Sequence, residues 1–341
     1  MTEESSQTKR KRDDDDGDDS SSLSHEDTPL VVASEAQPPP NTTHIFTLFD
    51  SMKGLASLRA WTKDTKASLI VTSPPYFGCR DYAEGVHNML GTHTTSSAST
   101  TVTAAITPTQ LGHESTPYEY VRNLAKVFAN GPAFMTETCS LFIIIGDTFA
   151  RKNYSDTKGI YSNVTKGEAI GVFGMLIAEM RRKGWKLWQE IVWNKMSVPP
   201  SGAAQVRCNP STERILWFCL NKPQFAPRNV REEGKTKAGT IMPPVGGKKY
   251  SDGKEKQLIS DGKRCRRDIW DVCPSRDTSS HVAPFPTELV EIAILGCTKM
   301  GELVLDPFGG TLTTAKVAKQ HHRSSLCCDS FDHTNALKKD E

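Results

Sequence analysis

Two short phrases stand near opposite ends of this chain, and each follows an apolar run of strand length. Thr72-Ser73-Pro74-Pro75-Tyr76 comes after Leu69-Ile70-Val71, and Asp306-Pro307-Phe308-Gly309-Gly310-Thr311 comes after Leu303-Val304-Leu305. Short, continuous apolar runs predict strands covered on both faces, as in a parallel sheet. Both phrases are therefore expected at the carboxyl ends of parallel strands, where an open α/β sheet collects its ligands. Their order constrains the topology further. A glycine-rich ligand loop normally opens such a domain, and here it nearly closes one.

Length allows one large core. With 341 residues and 37% hydrophobic content, a single core of roughly 250 to 290 residues plus a tail is the natural division. No run of about 18 apolar residues occurs and the N-terminus lacks an apolar signal region, so the chain is expected to be neither secreted nor membrane-embedded. Cysteines at 79, 139, 208, 219, 265, 273, 297, 327 and 328 form no Cys-x-x-Cys pair. They predict reduced thiols, neither a disulfide frame nor a zinc site.

Residues 1–43 are a different material. Lys9-Arg10-Lys11-Arg12 is followed by Asp13 to Asp16, Asp18, Asp19, a serine run and Pro38-Pro39-Pro40. Such a segment buries too little apolar surface to offset its ordering entropy and is expected to be disordered. Its four basic and eleven acidic residues mask the charge of the rest, which holds 38 basic against 29 acidic residues. A basic body suits a polyanionic partner, although an ordinary solvated surface reads the same way on charge alone. Lys9 to Arg12 is either a nuclear import signal or the basic half of a self-pairing polar tail. The first reading places the protein in the nucleus, the second in the cytoplasm or an organelle.

Two more stretches depart from globular texture. Residues 93–117, rich in threonine, serine and alanine, are expected to be a flexible insertion, with a lid or DNA-contacting loop as the other reading. Residues 221–267 carry Lys235, Lys237, Lys248 and Lys249 among glycines, and a flexible basic loop suits phosphate contacts. Residues 336–341 are a short C-terminal tail.

The two phrases carry the chemistry. Gly309 and Gly310 let the backbone approach a ligand closely, while Asp306 either meets that ligand or orders the turn. Asp329 closes Ser325-Leu326-Cys327-Cys328 about 20 residues later, where an acidic side chain is placed to hold ribose hydroxyls. In the first phrase, ring-locked prolines hold the turn rigid and aim a carbonyl outward. The Ser73 hydroxyl and the Pro74 carbonyl then offer two hydrogen-bond acceptors, with the aromatic face of Tyr76 available for stacking. Taken singly, each motif has a plainer reading: a ligand for proline-binding modules, a strand-to-helix turn, or helix N-caps at Asp147 and Asp50.

Taken together and in this order, the phrases resemble the permuted, beta-type class of DNA amino-methyltransferases, and most of all its cytosine-N4 members. The resemblance covers about residues 44 to 333. It takes in Leu141 to Thr148 with its Gly146-Asp147 turn, Gly184-Trp185 leading to Ile191 to Lys195, Ser211 to Phe218, Asp268 to Asp271, and His281 to Pro286. It implies an α/β, Rossmann-like class I methyltransferase fold over residues 44–335, circularly permuted, with a seven-stranded mostly parallel sheet and one antiparallel strand. S-adenosyl-L-methionine is the implied cofactor and DNA the implied partner, with no metal, no membrane and a homodimer left open. On this resemblance Ser73, Pro74, Pro75 and Tyr76 handle the base. Asp306, Pro307, Phe308, Gly309, Gly310, Thr311 and Asp329, together with Phe285 and Asp50, hold the cofactor. Residues 221–267 stand where the class carries its target-recognition segment.

The implied reaction is methyl transfer to the N4 amine of cytosine, with the N6 amine of adenine as the alternative. Cytosine C5 chemistry is disfavoured because no Pro-Cys dipeptide occurs, and a P-loop nucleotidase is excluded because no glycine loop ends in Gly-Lys-Ser or Gly-Lys-Thr. One departure stands out: Leu312 occupies a position where the family usually has a further glycine. If that position needs positive φ, leucine costs about 1 to 2 kcal/mol and cofactor binding weakens. That keeps open a DNA-binding module that retains the fold without the reaction.

Overall fold

The computed structural model describes residues 42–48, 55, 65–78, 111–129, 133–200, 206–242, 258–275 and 285–329. The chain divides into residues 1–38 and 39–341. The first unit lies outside the described residues, as do residues 93–110 of the expected insertion and the 336–341 tail.

The expected apolar runs are strands. In chain order these are β1 (His44–Leu48), β2 (Ala67–Thr72), β3 (Met135–Ile145), β4 (Lys186–Lys195) and β5 (Thr212–Cys219), then the two-residue strands β6 (Glu232–Glu233), β7 (Ile241–Met242), β8 (Leu258–Ile259) and β9 (Lys263–Arg264), and finally β10 (Ile269–Val272), β11 (Leu303–Asp306) and β12 (Ser324–Asp329). The main sheet has eight strands in the order β1-β12-β11-β2-β3-β5-β4-β10. Only β5 among them runs antiparallel to its neighbours. The expected sheet of seven gains an eighth member because Ile269–Val272 pairs in parallel with Val192–Lys195, extending the β4 edge.

Circular permutation is visible in the pairing. The first described strand, β1, lies parallel to the last, β12, with His44 opposite Ser325 and Leu48 opposite Asp329. From the adjacent pair β11 and β2, the chain winds outward in opposite directions: β11 leads to β12 on one side and β2 to β3 on the other. Such a switch point opens a crevice at the strand ends. Both sequence phrases sit there.

Four helices cover the sheet among the described residues: α1 (Pro117–Val127), α2 (Val172–Arg182), α3 (Thr287–Cys297) and α4 (Thr313–Gln320). Strand period 2 sorts the side chains between two cores. Ile70, Leu141, Ile143, Leu216 and Leu305 pack with Tyr120, Leu124, Leu176 and Met180 of α1 and α2. Leu69, Val71, Phe142, Ile144, Trp217 and Val304 pack with Leu289, Ile294 and Val317 of α3 and α4. The α1 start follows its sequence: Thr116 accepts from the Glu119 N–H at 3.2 Å and Pro117 takes the first turn. The start of α2 has no such residue, and Gly171 with φ of 74° opens it. Its cap comes from the end of β3, where the Asp147 carboxylate accepts from the N–H groups of Gly171 at 2.8 Å and Val172 at 3.1 Å. Asp147 is thus a helix cap supplied from a distance.

Candidate active site

Asp306 ends β11 and is completely enclosed, at 0% exposure. Its Oδ1 accepts from the Thr72 hydroxyl at 2.6 Å and the Phe308 N–H at 3.1 Å, and its Oδ2 accepts from the Thr314 hydroxyl at 2.6 Å. One carboxyl group therefore ties together the ends of two neighbouring strands and the first turn of α4. Burial pushes its pKa up to about 6, outweighing the three donors that favour the ionised form. Of its two expected roles, the geometry gives Asp306 the ordering of the turn. Pro307 is buried beside it.

The glycines that follow serve different ends. Gly309 donates to the Cys328 carbonyl at 2.7 Å, and a Cβ there would stand 3.1 Å from the Cys327 Cβ and 3.3 Å from the Cys328 oxygen. Gly310 has φ of +47° with open space above it, and its N–H donates to Asp329 Oδ2 at 2.8 Å. Phe308 and Thr311 flank this opening half-buried. A bare backbone next to an acidic strand end fits the approach of a ribose-bearing ligand. Among the predicted cofactor residues, Gly310 borders open space, Phe308 and Thr311 flank it half-buried, and Asp329 stands at the end of β12. Phe285 is half-buried and packs on the α3 core, and Asp50 lies outside the described residues.

Leu312 does take positive φ, at 63°. Its side chain is 0% exposed and packs against Ala315 and Cys327. The left-handed backbone costs about 1 to 2 kcal/mol, whereas burying a leucine contributes roughly 1.5 to 3 kcal/mol. Burial offsets the strain, and the side chain fills the protein interior instead of the open crevice.

The first phrase is held by partners from elsewhere in the chain. Tyr120 of α1 donates to the Pro75 carbonyl at 2.8 Å, and Gly78 donates to the Gly112 carbonyl at 2.9 Å. The residues on either side of the 79–110 stretch are thus joined beside the turn. The Tyr76 ring lies on Gly146 at the end of β3, where a Cβ would be 2.8 Å from Cε2. Its hydroxyl donates to Glu213 Oε2 at 2.6 Å, and the other Glu213 oxygen forms an ion pair with Lys195. Burial, then Glu213, raise the Tyr76 pKa well above the usual phenol range. Ser73 is half-buried and Pro74 buried. A cleft of about 270 Å³ opens at the residues that follow the phrase, bordered by Phe77, Gly78, Phe149, Arg151 and Tyr154. At its rim the Arg207 guanidinium lies 3.9 Å from the Phe149 ring centre.

Residue types alone did not single out Glu213, Lys195, Gly146 or Tyr120. The available signal was weak: Glu213 is an acidic residue heading an apolar strand, and Lys195 closes another. The basic segment differs more from expectation. Arg231 pairs with Asp261, and Arg264 and Arg267 both pair with Glu232, so much of its charge is neutralised internally. Its start is anchored on α3, with the Ala226 N–H on the Gly296 carbonyl at 2.7 Å. Lys235 and Lys237 are exposed, and Lys248 and Lys249 lie outside the described residues. The eight described cysteines are all free thiols.

Comparison with known proteins agrees with this geometry. A DNA methylase family profile matches residues 67–335. The Type II methyltransferase M.Cfr9I of Citrobacter freundii is 28% identical over 271 residues, covering 74% of each chain. The Type II methyltransferase M.SmaI of Serratia marcescens is 25% identical over 290 residues, covering 80% of this chain and 82% of the relative. Among solved structures, the PvuII DNA methyltransferase, described as cytosine-N4-specific, aligns over 88% of both chains with a TM-score of 0.51 and 17% identity, a likeness of fold.

Proposed function

Because the chain belongs to the N6/N4 DNA methylase family, we propose that it methylates the N4 amine of cytosine in DNA, with S-adenosyl-L-methionine, the family's methyl donor, bound at the glycine turn. The observation that carries this reading is the seam between β11 and β2. Thr72, which directly precedes Ser73, is bonded to Asp306, which directly precedes the glycine turn. A base amine and a methyl donor brought to these two turns would meet.

The chemistry asks little beyond position. An exocyclic amine is conjugated with its ring, so its lone pair is a poor nucleophile until acceptors draw its hydrogens out of the ring plane. The Ser73 hydroxyl and the Pro74 carbonyl are the acceptors in this reading. Bound S-adenosyl-L-methionine supplies a methyl group already activated on a sulfonium, so orientation and exclusion of water dominate. Gly310 and Asp329 would hold it, with Phe308 and Thr311 alongside. An extruded base would stack on Tyr76, and the aromatic cleft next to it suits a neighbouring part of the same strand. Exposed Lys235 and Lys237 would contribute sequence-independent phosphate contacts.

Serine at the head of the phrase favours cytosine N4 over adenine N6. The M.Cfr9I and M.SmaI relatives are consistent with a DNA substrate for either base. The binding-only alternative rested on Leu312, and its buried side chain removes that motive. The test is mass spectrometry of nucleosides from DNA incubated with the full chain and isotope-labelled S-adenosyl-L-methionine, with Ser73→Ala as control. Labelled N4-methylcytosine is the expected product. Labelled N6-methyladenine instead overturns the base assignment, and no label in either base overturns methyl transfer.

A further inference from the structure

We infer that the cleft following the catalytic phrase holds an unpaired nucleotide of the DNA strand, next to the target base. The inference rests on reading the Ser73 turn as the place where an extruded base is methylated. The cleft begins one residue past Tyr76, at Phe77 and Gly78, and its far side comes from Phe149, Arg151 and Tyr154 of the segment between β3 and α2. A nucleotide flanking the target is therefore within its reach. Phe77 and Tyr154 are 4% and 7% exposed and meet edge to face at 5.8 Å, which makes a rigid aromatic floor. Phe149 is 36% exposed, and its ring carries the Arg207 guanidinium at 3.9 Å. That guanidinium is fixed in place, because Nη2 donates to the Gly167 carbonyl at 3.0 Å. Lys152 stands 5.7 Å from the Tyr154 ring centre, and Arg151 lines the cleft itself. Aromatic surface edged by cations is what a single nucleic-acid strand requires, since every base has a π-face and every link a phosphate.

Ion pairing separates this surface from the 221–267 segment. There Arg231, Arg264 and Arg267 are held by Asp261 and Glu232. Around the cleft the acids are occupied in holding the backbone instead. Asp147 caps α2, Asp156 accepts from the Ile160 and Tyr161 N–H groups and pairs with Arg122, and Glu168 accepts from the Thr165 N–H. Among the described residues no acid pairs with Arg151, Lys152 or Arg207. These three cations are left for an anion from outside the chain, and a phosphate on either side of a stacked base supplies one.

The test measures binding of a fluorescein-labelled DNA single strand of mixed sequence to the full chain, by anisotropy across a salt series. Removing the three charges together, with Arg151→Gln, Lys152→Gln and Arg207→Gln, should flatten the slope of log affinity against log salt by about 2, at about 0.7 for each phosphate contact on a single strand. The same change at Arg181, Lys183 and Lys186, exposed where α2 ends and β4 begins at the other end of the sheet, should leave the slope as it is. Phe149→Ala should weaken single-strand binding about 5- to 150-fold, the range for losing one base–aromatic stack, and Phe149→Tyr should restore it. The same strand in duplex should lose less. An unchanged slope in the triple variant, an equal change in the control, or wild-type single-strand affinity in Phe149→Ala would overturn the inference. Binding that depends on these residues in a protein that methylates no DNA would uphold the cleft and overturn the function proposed above. Methylated DNA with slope and affinity unchanged would do the reverse.

Discussion

The two turns at the centre of the molecule are built in opposite ways. The glycine turn is made almost entirely from residues 306–329: Asp306 bonds to Thr314 and Phe308, Gly309 to Cys328 and Gly310 to Asp329. Across the seam, Asp306 is tied to Thr72 of the neighbouring strand. The Ser73 turn is held by Tyr120, Gly112, Gly146 and Glu213. A turn that must cradle a ligand backbone-first can be specified locally by glycines. A turn that must aim a hydroxyl needs neighbours on several sides, and these come from several strands and a helix.

The largest expected effect tests that division directly. Ser73→Ala should lower kcat by about 10²- to 10³-fold, the usual cost of losing one hydrogen-bonding group aimed at a reacting centre, while calorimetry finds S-adenosyl-L-methionine affinity unchanged. Asp329→Ala should do the reverse, weakening the cofactor more than it slows turnover. Equal loss of cofactor affinity in both variants would break the comparison.

Asp306, which links the turns, should make stability depend on pH. Its folded pKa of about 6 lies above the ordinary value of 3.8, so folding favours the protonated form. The stability this contributes is full below about pH 4 and lost as pH rises through about 6. At full burial the shift corresponds to roughly 3 kcal/mol, an order-of-magnitude figure. Urea unfolding of wild type and Asp306→Asn between pH 4 and 7 should differ in slope across that window, with the wild type losing ground as pH rises.

Two alanine substitutions sharpen the contrast. Gly309→Ala places a Cβ 3.1 Å from the Cys327 Cβ and should cost about 1 to 3 kcal/mol in unfolding free energy. Gly146→Ala pushes on the Tyr76 ring at 2.8 Å, and its effect should appear in kcat with a smaller change in melting temperature. The smallest effect is expected at Leu312. Leu312→Gly relieves about 1 to 2 kcal/mol of strain and forfeits roughly 1.5 to 3 kcal/mol of burial. A net loss of about 1 kcal/mol by urea unfolding, with cofactor affinity within twofold, is the expected result. A gain in stability would show that strain dominates the turn.

Much of this architecture was legible in residue order. Leu69-Ile70-Val71 and Leu303-Val304-Leu305 are strands because continuous apolar runs of that length have to be covered on both faces. The position of the glycine phrase near the end announced the permutation, and β1 against β12 bears it out. The eighth strand was not legible, since Ile269-Trp270-Asp271-Val272 is too short to stand out without the β4 edge beside it. The basic segment read as a field of free charge because lysines and arginines can be counted in a sequence, while Glu232 and Asp261 become their partners only when the segment folds.

The sequence by itself determined where the two turns stand, because proline and glycine restrict or free the backbone at the residues where they occur. Only the tertiary structure decided what those turns can do. It enclosed Asp306 so that it orders the turn, buried Leu312 so that its strain is offset, and brought Glu213 to Tyr76 across 137 positions of chain. Burial and hydrogen-bond partners depend on groups that meet only after the sheet has formed, and no local pattern encodes them.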